Sequence, residues 1–256
     1  MTLTATPTRT AVAARAVAAT KVYGHGDRAV TALDRVDLDV PARRFTAVMG
    51  PSGSGKSTLM HCLAGLDSLT SGEVYLGDTE LGGLDDRALT RLRRERVGFV
   101  FQSFNLMPTL TAYENITLPY ALAGRRPDAD WVDRVVDSVG LGPRLRHRPA
   151  ELSGGQQQRV AVARALATRP DLVFADETTG NLDSVSGAEV LELLRAAVRE
   201  TGQTVVMVTH DPVAAGYADG VVFLSDGRVA GAIDAPTPDR VLDALKSVQT
   251  IGALKC

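Results

Sequence analysis

Apolar and polar positions along this chain follow two periods, and the switches between them mark its parts. Ala14–Tyr23 is β-rich, and Val36, Leu38 and Val40 then alternate with Asp37 and Asp39, the period of a strand with one covered face. Phe45–Met49 is a strand that ends at Gly50, and Ser57–Leu66 reads as a helix. Glu73–Leu76 is another strand, Asp85–Arg96 a basic helix and Val97–Phe101 a short buried strand. Between about Ser103 and Ala167 the pattern is helical throughout, broken at Pro108, Gly124–Pro127 and Gly140–Pro149. Strand patterns return at Leu172–Ala175, Thr204–Thr209 and Val221–Leu224, with helices between them. That βαβ alternation predicts a mainly parallel sheet with helices on both faces. The helix after Asp183 is amphipathic: Val190, Leu194, Ala197 and Val198 share one face, and Glu189, Glu192, Arg195 and Arg199 face away. Asp226-Gly227 predicts a hairpin turn, and Pro238–Val248 a short terminal helix.

Composition narrows the class. A chain of 256 residues is long enough for one large domain carrying a lobe. With 45% hydrophobic and 23% charged residues it reads as a globular protein, and a net charge of −2 offers no global field toward nucleic acid or anionic lipid. Apolar runs such as Val205–Val208 fall far short of the roughly 18 residues that span a bilayer. Cys62 and Cys256 rule out a disulfide scaffold and read as a buried thiol and a free end in a reducing compartment. Residues 1–13 read as a disordered Thr/Ala-rich tail, not a targeting peptide, because Arg15 interrupts the apolar stretch that follows. Residues 14–234 form the predicted domain, with the helical insert at about 103–167, and 235–256 a terminal helix and loose tail.

Chemistry enters with one of the rare lysines. Gly50-Pro51-Ser52-Gly53-Ser54-Gly55-Lys56-Ser57 fits the pattern of a phosphate-binding loop and lies between a predicted strand and a predicted helix, with Thr58 next in that helix. Its glycines let backbone N–H groups turn inward around phosphates, and the helix N-terminus adds its positive end. Lys56 neutralises the β and γ oxygens, and the Ser57 hydroxyl can ligate Mg²⁺. A phosphate cradle also needs an acid for the metal and a base for water. Leu172-Val173-Phe174-Ala175-Asp176-Glu177 offers both at a strand end, with Asp176 for the metal and Glu177 as general base.

Leu152-Ser153-Gly154-Gly155-Gln156-Gln157-Gln158-Arg159 resembles the LSGGQ signature of ABC-type ATPases and falls between the loop and the acidic strand end, in that family's order. Tyr23 resembles the aromatic residue that stacks on adenine. Gln102 resembles the Q-loop glutamine, Leu182-Asp183 the D-loop, and His210 in Val208-Thr209-His210-Asp211 the switch histidine. His25, His61 and His147 match no such station and read as structural or solvent-facing. The resemblance covers about residues 14–230. It implies an ABC-type cassette of the P-loop NTPase class, α/β, with a mainly parallel sheet, an N-terminal antiparallel β part and a helical subdomain.

It further implies ATP and Mg²⁺ as ligands, the metal held by Ser57, Gln102 and Asp176. Two cassettes would pair head to tail, with Lys56, Asp176, Glu177 and His210 from one chain and Ser153 and Gly155 from the other; Gly154 and Gln156 are also implied to bind nucleotide. No nucleic-acid partner is implied. Phe101–Ile116 closely resembles the MacB/LolD-like group, and Gly180-Asn181-Leu182-Asp183 is also that group's habit. Such a cassette would sit on the cytoplasmic face of the cell membrane and drive a separate permease. An apolar groove around Phe104, Leu106, Met107 and Leu110 would suit a helix of that partner. Thr178 stands where the family usually has proline, which would loosen the turn after the base. The alternative is a non-transport ATPase of the same family, of the cell-division signalling or iron–sulfur assembly type.

Overall fold

Two sheets share one core, and the second puts the chemistry at its edge. The computed structural model describes residues 11–253, with side chains to residue 248. The first ten residues of the predicted tail lie outside that range, and strand β1 (Val12–Tyr23) begins inside the rest of it. β1 pairs antiparallel with β2 (Val30–Pro41) and β4 (Ser71–Leu76), and β4 with the short β5 (Thr79–Glu80), in the order β2-β1-β4-β5. Arg15 faces Asp39 across β1 and β2 and bonds it at 2.6 Å.

The second sheet runs β10-β9-β3-β8-β7-β6. β3 (Phe45–Met49), β6 (Val97–Phe101), β7 (Leu172–Asp176), β8 (Val205–Val208) and β9 (Gly220–Ser225) are parallel; β10 (Arg228–Asp234) closes one edge antiparallel to β9. The Asp226-Gly227 turn that joins β9 to β10 has φ of +50° and +72°, which suits Asp-Gly. The central strands are covered on both faces, so they read as unbroken apolar runs. Phe45, Ala47, Met49, Val173 and Ala175 face one core, while Val48, Leu172 and Phe174 face the other.

The second of these cores lies between the two sheets and includes Leu59, Met60 and Leu63 of helix α1 (Lys56–Leu63). Helix α2 (Asp86–Arg96) adds Leu92. On the opposite face lie α3 (Ala112–Leu122), α4 (Ala129–Ser138), α5 (Gly154–Ala167) and α6 (Ser184–Thr201), with α8 (Pro238–Ala253) beyond the four-residue α7 (Pro212–Ala215). Between β6 and β7 the chain is helical, and α5 packs against α3, α4, α6 and β6. Tyr120 donates to the Ala167 carbonyl at 2.6 Å and Trp131 to the Leu166 carbonyl at 3.1 Å, fastening the lobe to the end of α5.

Two predicted boundaries move for physical reasons. α1 stops at Leu63, short of Leu66, because Gly65 adopts φ +64° and the Leu66 and Gly65 N–H groups turn back to the His61 and Cys62 carbonyls. α8 runs on to Ala253, past the predicted stop at Val248, with Val241 and Val248 packed into the core.

Candidate functional site

In an open parallel sheet, ligands meet the carboxyl ends of the strands. Here β3 runs into the Gly50–Ser57 loop, β7 into Asp176-Glu177, β8 into Thr209-His210 and β6 into Gln102. Four predicted motifs thus reach one edge because of strand order alone. A cleft of about 560 Å³ there is lined by Ala32, Ser52, Gly53, Gly55, Lys56, Ser57, Thr58, Glu177 and His210, while Asp176 and Gln102 lie outside its lining.

The loop is glycine-rich because its turns are too tight for side chains. A Cβ on Gly50, at φ +155°, would lie 2.1 Å from the Leu224 carbonyl oxygen, and one on Gly55, at φ +96°, 2.3 Å from that of Ala32. Lys56 folds back over the loop and donates to the Gly50 and Pro51 carbonyls at 2.9 and 2.8 Å. Burial pushes its ammonium below the ordinary lysine value, against the pull of Glu177 and Asp176. Ser54 is buried and its Oγ meets no protein partner, while its carbonyl accepts from Gly227 N at 3.2 Å. The β9–β10 turn thereby braces the loop.

Asp176 and Glu177 sit differently. Burial, reinforced by the Glu177 charge, raises the Asp176 carboxyl above the usual range, against His61 and Lys56. Glu177 adopts φ +44°, held by its N–H on the Val208 carbonyl at 2.9 Å and by Gly180 N on its own carbonyl at 3.0 Å. These bonds close the turn, and Thr178 in the usual proline position is buried within it, 1% exposed. His210 Nδ1 lies 3.0 Å from Glu177 Oε1.

Gln102 is tethered: its Nε2 donates to Asn181 Oδ1 at 3.3 Å, and Asn181 Nδ2 returns to the Gln102 carbonyl at 3.1 Å. Asn181 is thus a site residue that its own motif left silent. Asp183 is the N-cap of α6, accepting from Val185 and Ser186 N at 3.1 and 3.0 Å, which holds its carboxyl below the ordinary value. Tyr23, 42% exposed, stands outside the phosphate cleft.

The signature does not join that cleft. Ser153 caps α5 in a reciprocal box with Gln156. Ser153, Gly155 and Gln156 line a separate cleft of about 270 Å³ with Arg144, Arg159, Ser186 and Glu189. Gly154 packs toward Leu182 and Phe104. After Gln102, Phe104 and Asn105 take φ of +57° and +49°, and Arg164 of α5 donates to both of their carbonyls. Fully buried Asn115 bonds Met107, Leu110 and Thr111 from beneath. Of the four predicted groove residues, Met107 is exposed, and Phe104, Leu106 and Leu110 are partly buried.

Comparison with known proteins fits this geometry. Residues 33–180 match the ABC transporter family, ABC_tran. The chain belongs to that family and is an ATP-binding ABC ATPase. It is 44% identical over 216 residues to an uncharacterized ABC transporter ATP-binding protein, MJ0796, of Methanocaldococcus jannaschii, covering 82% of this chain and 92% of that one. It is 46% identical over 221 residues to a macrolide export ATP-binding/permease protein, MacB, of Marinobacter nauticus, covering 86% of this chain and 34% of that protein. The dimeric structure of the MJ0796 cassette in a post-hydrolysis state bound to ADP and Pi superposes with a TM-score of 0.78 at 40% identity, covering 88% of this chain and 99% of that one. The cassette topology expected from the resemblance is the one observed, antiparallel and mainly parallel sheets included. No helix among the described residues is long and apolar enough to cross a membrane.

Proposed function

We propose that this ATPase works as one of two head-to-tail cassettes that drive a separate membrane permease, with export of peptides, lipids or lipoproteins as the output. One observation carries the reading: Lys56, Glu177 and His210 line one cleft, and Ser153, Gly155 and Gln156 line another. One chain then holds half of a site. A second copy, turned end to end, would bring its helix N-terminus at Ser153 to the γ-phosphate, where N–H groups and the hydroxyl meet negative charge. The dimeric state of the MJ0796 cassette supports this arrangement.

The loop N–H groups between Gly50 and Ser57, Pro51 having none, cradle the phosphates with Thr58 behind them, and Lys56 turns from its carbonyl partners to the β and γ oxygens. The donor set fits Mg²⁺: the Ser57 hydroxyl, the Asp176 carboxylate and the Gln102 amide oxygen are hard donors of the kind that ion takes beside phosphate. When bound, the ion neutralises charge on the phosphate oxygens. Glu177 takes a proton from the water as its oxygen bonds the γ-phosphorus, the bond from that phosphorus to the β–γ bridging oxygen breaks with its electron pair left on ADP, and His210 fixes the Glu177 carboxylate. Phosphate and ADP leave, and the pair reopens. Asp183 orients α6 at the joint between copies, and Tyr23 offers its ring to the base.

The permease would dock on the segment after Gln102, where Met107 is exposed on a backbone pinned by Arg164 and Asn115. The MacB relative supports an export role; this chain spans about a third of that protein. Docked in this way, the cassette would sit on the cytoplasmic face of the membrane. The test is the ATPase rate of the purified chain with and without the integral membrane protein that co-purifies with it. Stimulation by that partner is expected; high activity that responds only to soluble partners would move the protein to the non-transport class.

A further inference from the structure

A tyrosine at a strand end with 42% of its surface exposed is a poor platform for a nucleotide base unless something fixes its ring. Tyr23 has such a fixture. Its hydroxyl donates to Asp67 Oδ2 at 2.6 Å. The other oxygen of the same carboxylate accepts from Lys21 Nζ at 2.6 Å and from Ser68 N at 2.8 Å, and Lys21 also donates to the Ser68 carbonyl at 2.6 Å. Lys21 and Tyr23 are two residues apart on β1, so their side chains leave the same face of the strand. The Lys21 ammonium lies 4.9 Å from the centre of the Tyr23 ring, over one of its faces.

The positions come from helix α1. Its glycine stop at Gly65 turns the chain so that Asp67 N meets the His61 carbonyl at 3.3 Å, which sets the carboxylate beneath β1. Lys21 is only 9% exposed, a buried cation whose partner is this carboxylate. Burial works against its charge, yet the Asp67 bond and charge outweigh it and hold the ammonium above the ordinary lysine value. Removing either partner leaves the other uncompensated.

We infer that Lys21 and Asp67 are positioning residues for the base end of the nucleotide: Asp67 anchors the Tyr23 hydroxyl, Lys21 covers one ring face, and the opposite face is presented to the purine. The inference rests on Tyr23 being the base platform. A ring fixed before binding loses less side-chain freedom when the nucleotide arrives, so affinity for base-bearing ligands rises while affinity for phosphate chains does not. The same helix whose N-terminus cradles phosphate thus carries, just beyond its C-terminus, the group that aligns the base.

Titration calorimetry of the full-length chain with ATP and, separately, with inorganic tripolyphosphate tests this. Tyr23→Ala should weaken ATP about tenfold or more, the size expected for loss of a base–aromatic stack. Asp67→Asn, Lys21→Met and Tyr23→Phe should each weaken ATP about three- to tenfold, as for loss of one hydrogen bond, with tripolyphosphate affinity within about twofold of the parent. Adding Asp67→Asn to Tyr23→Ala should change nothing further. Tyr23→Phe removes one hydroxyl alone and decides the matter if either charge variant fails to fold. If Tyr23→Ala is weakened but Tyr23→Phe and Asp67→Asn bind ATP like the parent, the positioning role is wrong and the platform stands. If tripolyphosphate weakens in step with ATP, Asp67 acts on the phosphate loop and the inference falls. If Tyr23→Ala binds ATP normally, the platform reading fails first.

Discussion

His210 Nδ1 and Glu177 Oε1 lie 3.0 Å apart, although the two residues are 33 positions apart in the chain. The contact exists because β7 and β8 are parallel neighbours with Asp176 in register with Val208, so the residues just beyond both strand ends meet. Glu177→Gln keeps an oxygen for that contact but cannot take a proton. It should lower kcat by about 10²-fold or more with ATP affinity within a few fold of the parent. His210→Ala should also lower kcat far more than it changes affinity. Steady-state rates beside equilibrium binding check both. A wild-type rate for Glu177→Gln would remove Glu177 from the role of base.

Lys56 is held over the loop by two backbone carbonyls, at 2.9 and 2.8 Å, from which the proposed site would release it to phosphate. Lys56→Ala should abolish measurable ATP binding. A thermal melt reads this directly. The parent should gain stability with ATP in proportion to the logarithm of its concentration over Kd, and the variant should gain nothing.

Ser153 caps a helix and, in the proposed dimer, would also meet the partner's nucleotide, and one substitution can separate the two. It caps α5, and asparagine, aspartate and serine cap a helix about equally well, whereas alanine costs about 1 kcal/mol. Ser153→Asp should therefore leave the melting temperature and the ATP affinity of the single chain nearly unchanged. Its added negative charge should block hydrolysis by repelling a γ-phosphate across the dimer joint. If the single chain lost ATP binding instead, the two-chain site would be in doubt.

Asp67 gives a pH signature. Burial alone would raise its carboxyl, but hydrogen bonds from Lys21 and Tyr23 hold it below the usual aspartate value of 3.8. A lowered folded-state pKa contributes stability above the unfolded value and loses it as pH falls through the folded value. Asp67→Asn should destabilise the chain near neutrality by more than one ordinary hydrogen bond, because it leaves the buried Lys21 ammonium without its counter-charge. That difference should close as the pH drops below 3.8, as denaturant midpoints across pH would show.

The local motifs were legible because their physics is local. Gly50–Ser57 needs tight turns and a helix start, and both are written in consecutive residues; so is the strand end at Asp176. What escaped sequence reasoning depends on distant pairing. Asn181 meets Gln102 across 79 positions and Asp67 meets Lys21 across 46. Ala32 borders the phosphate cleft only because β2 passes over Gly55. The parallel sheet was readable from its apolar runs, yet β5, two residues long, has no period to read. Gly65, which ends α1 early, was legible in principle: a glycine just past the last apolar turn is a stop signal.

The most direct test of the central claim is the mass of the Glu177→Gln chain in solution, by size exclusion with light scattering, with and without saturating ATP. A site completed by a second copy predicts one chain of 27.1 kDa without nucleotide and twice that mass with it. A chain that binds ATP yet stays at the mass of one copy would contradict the two-chain site.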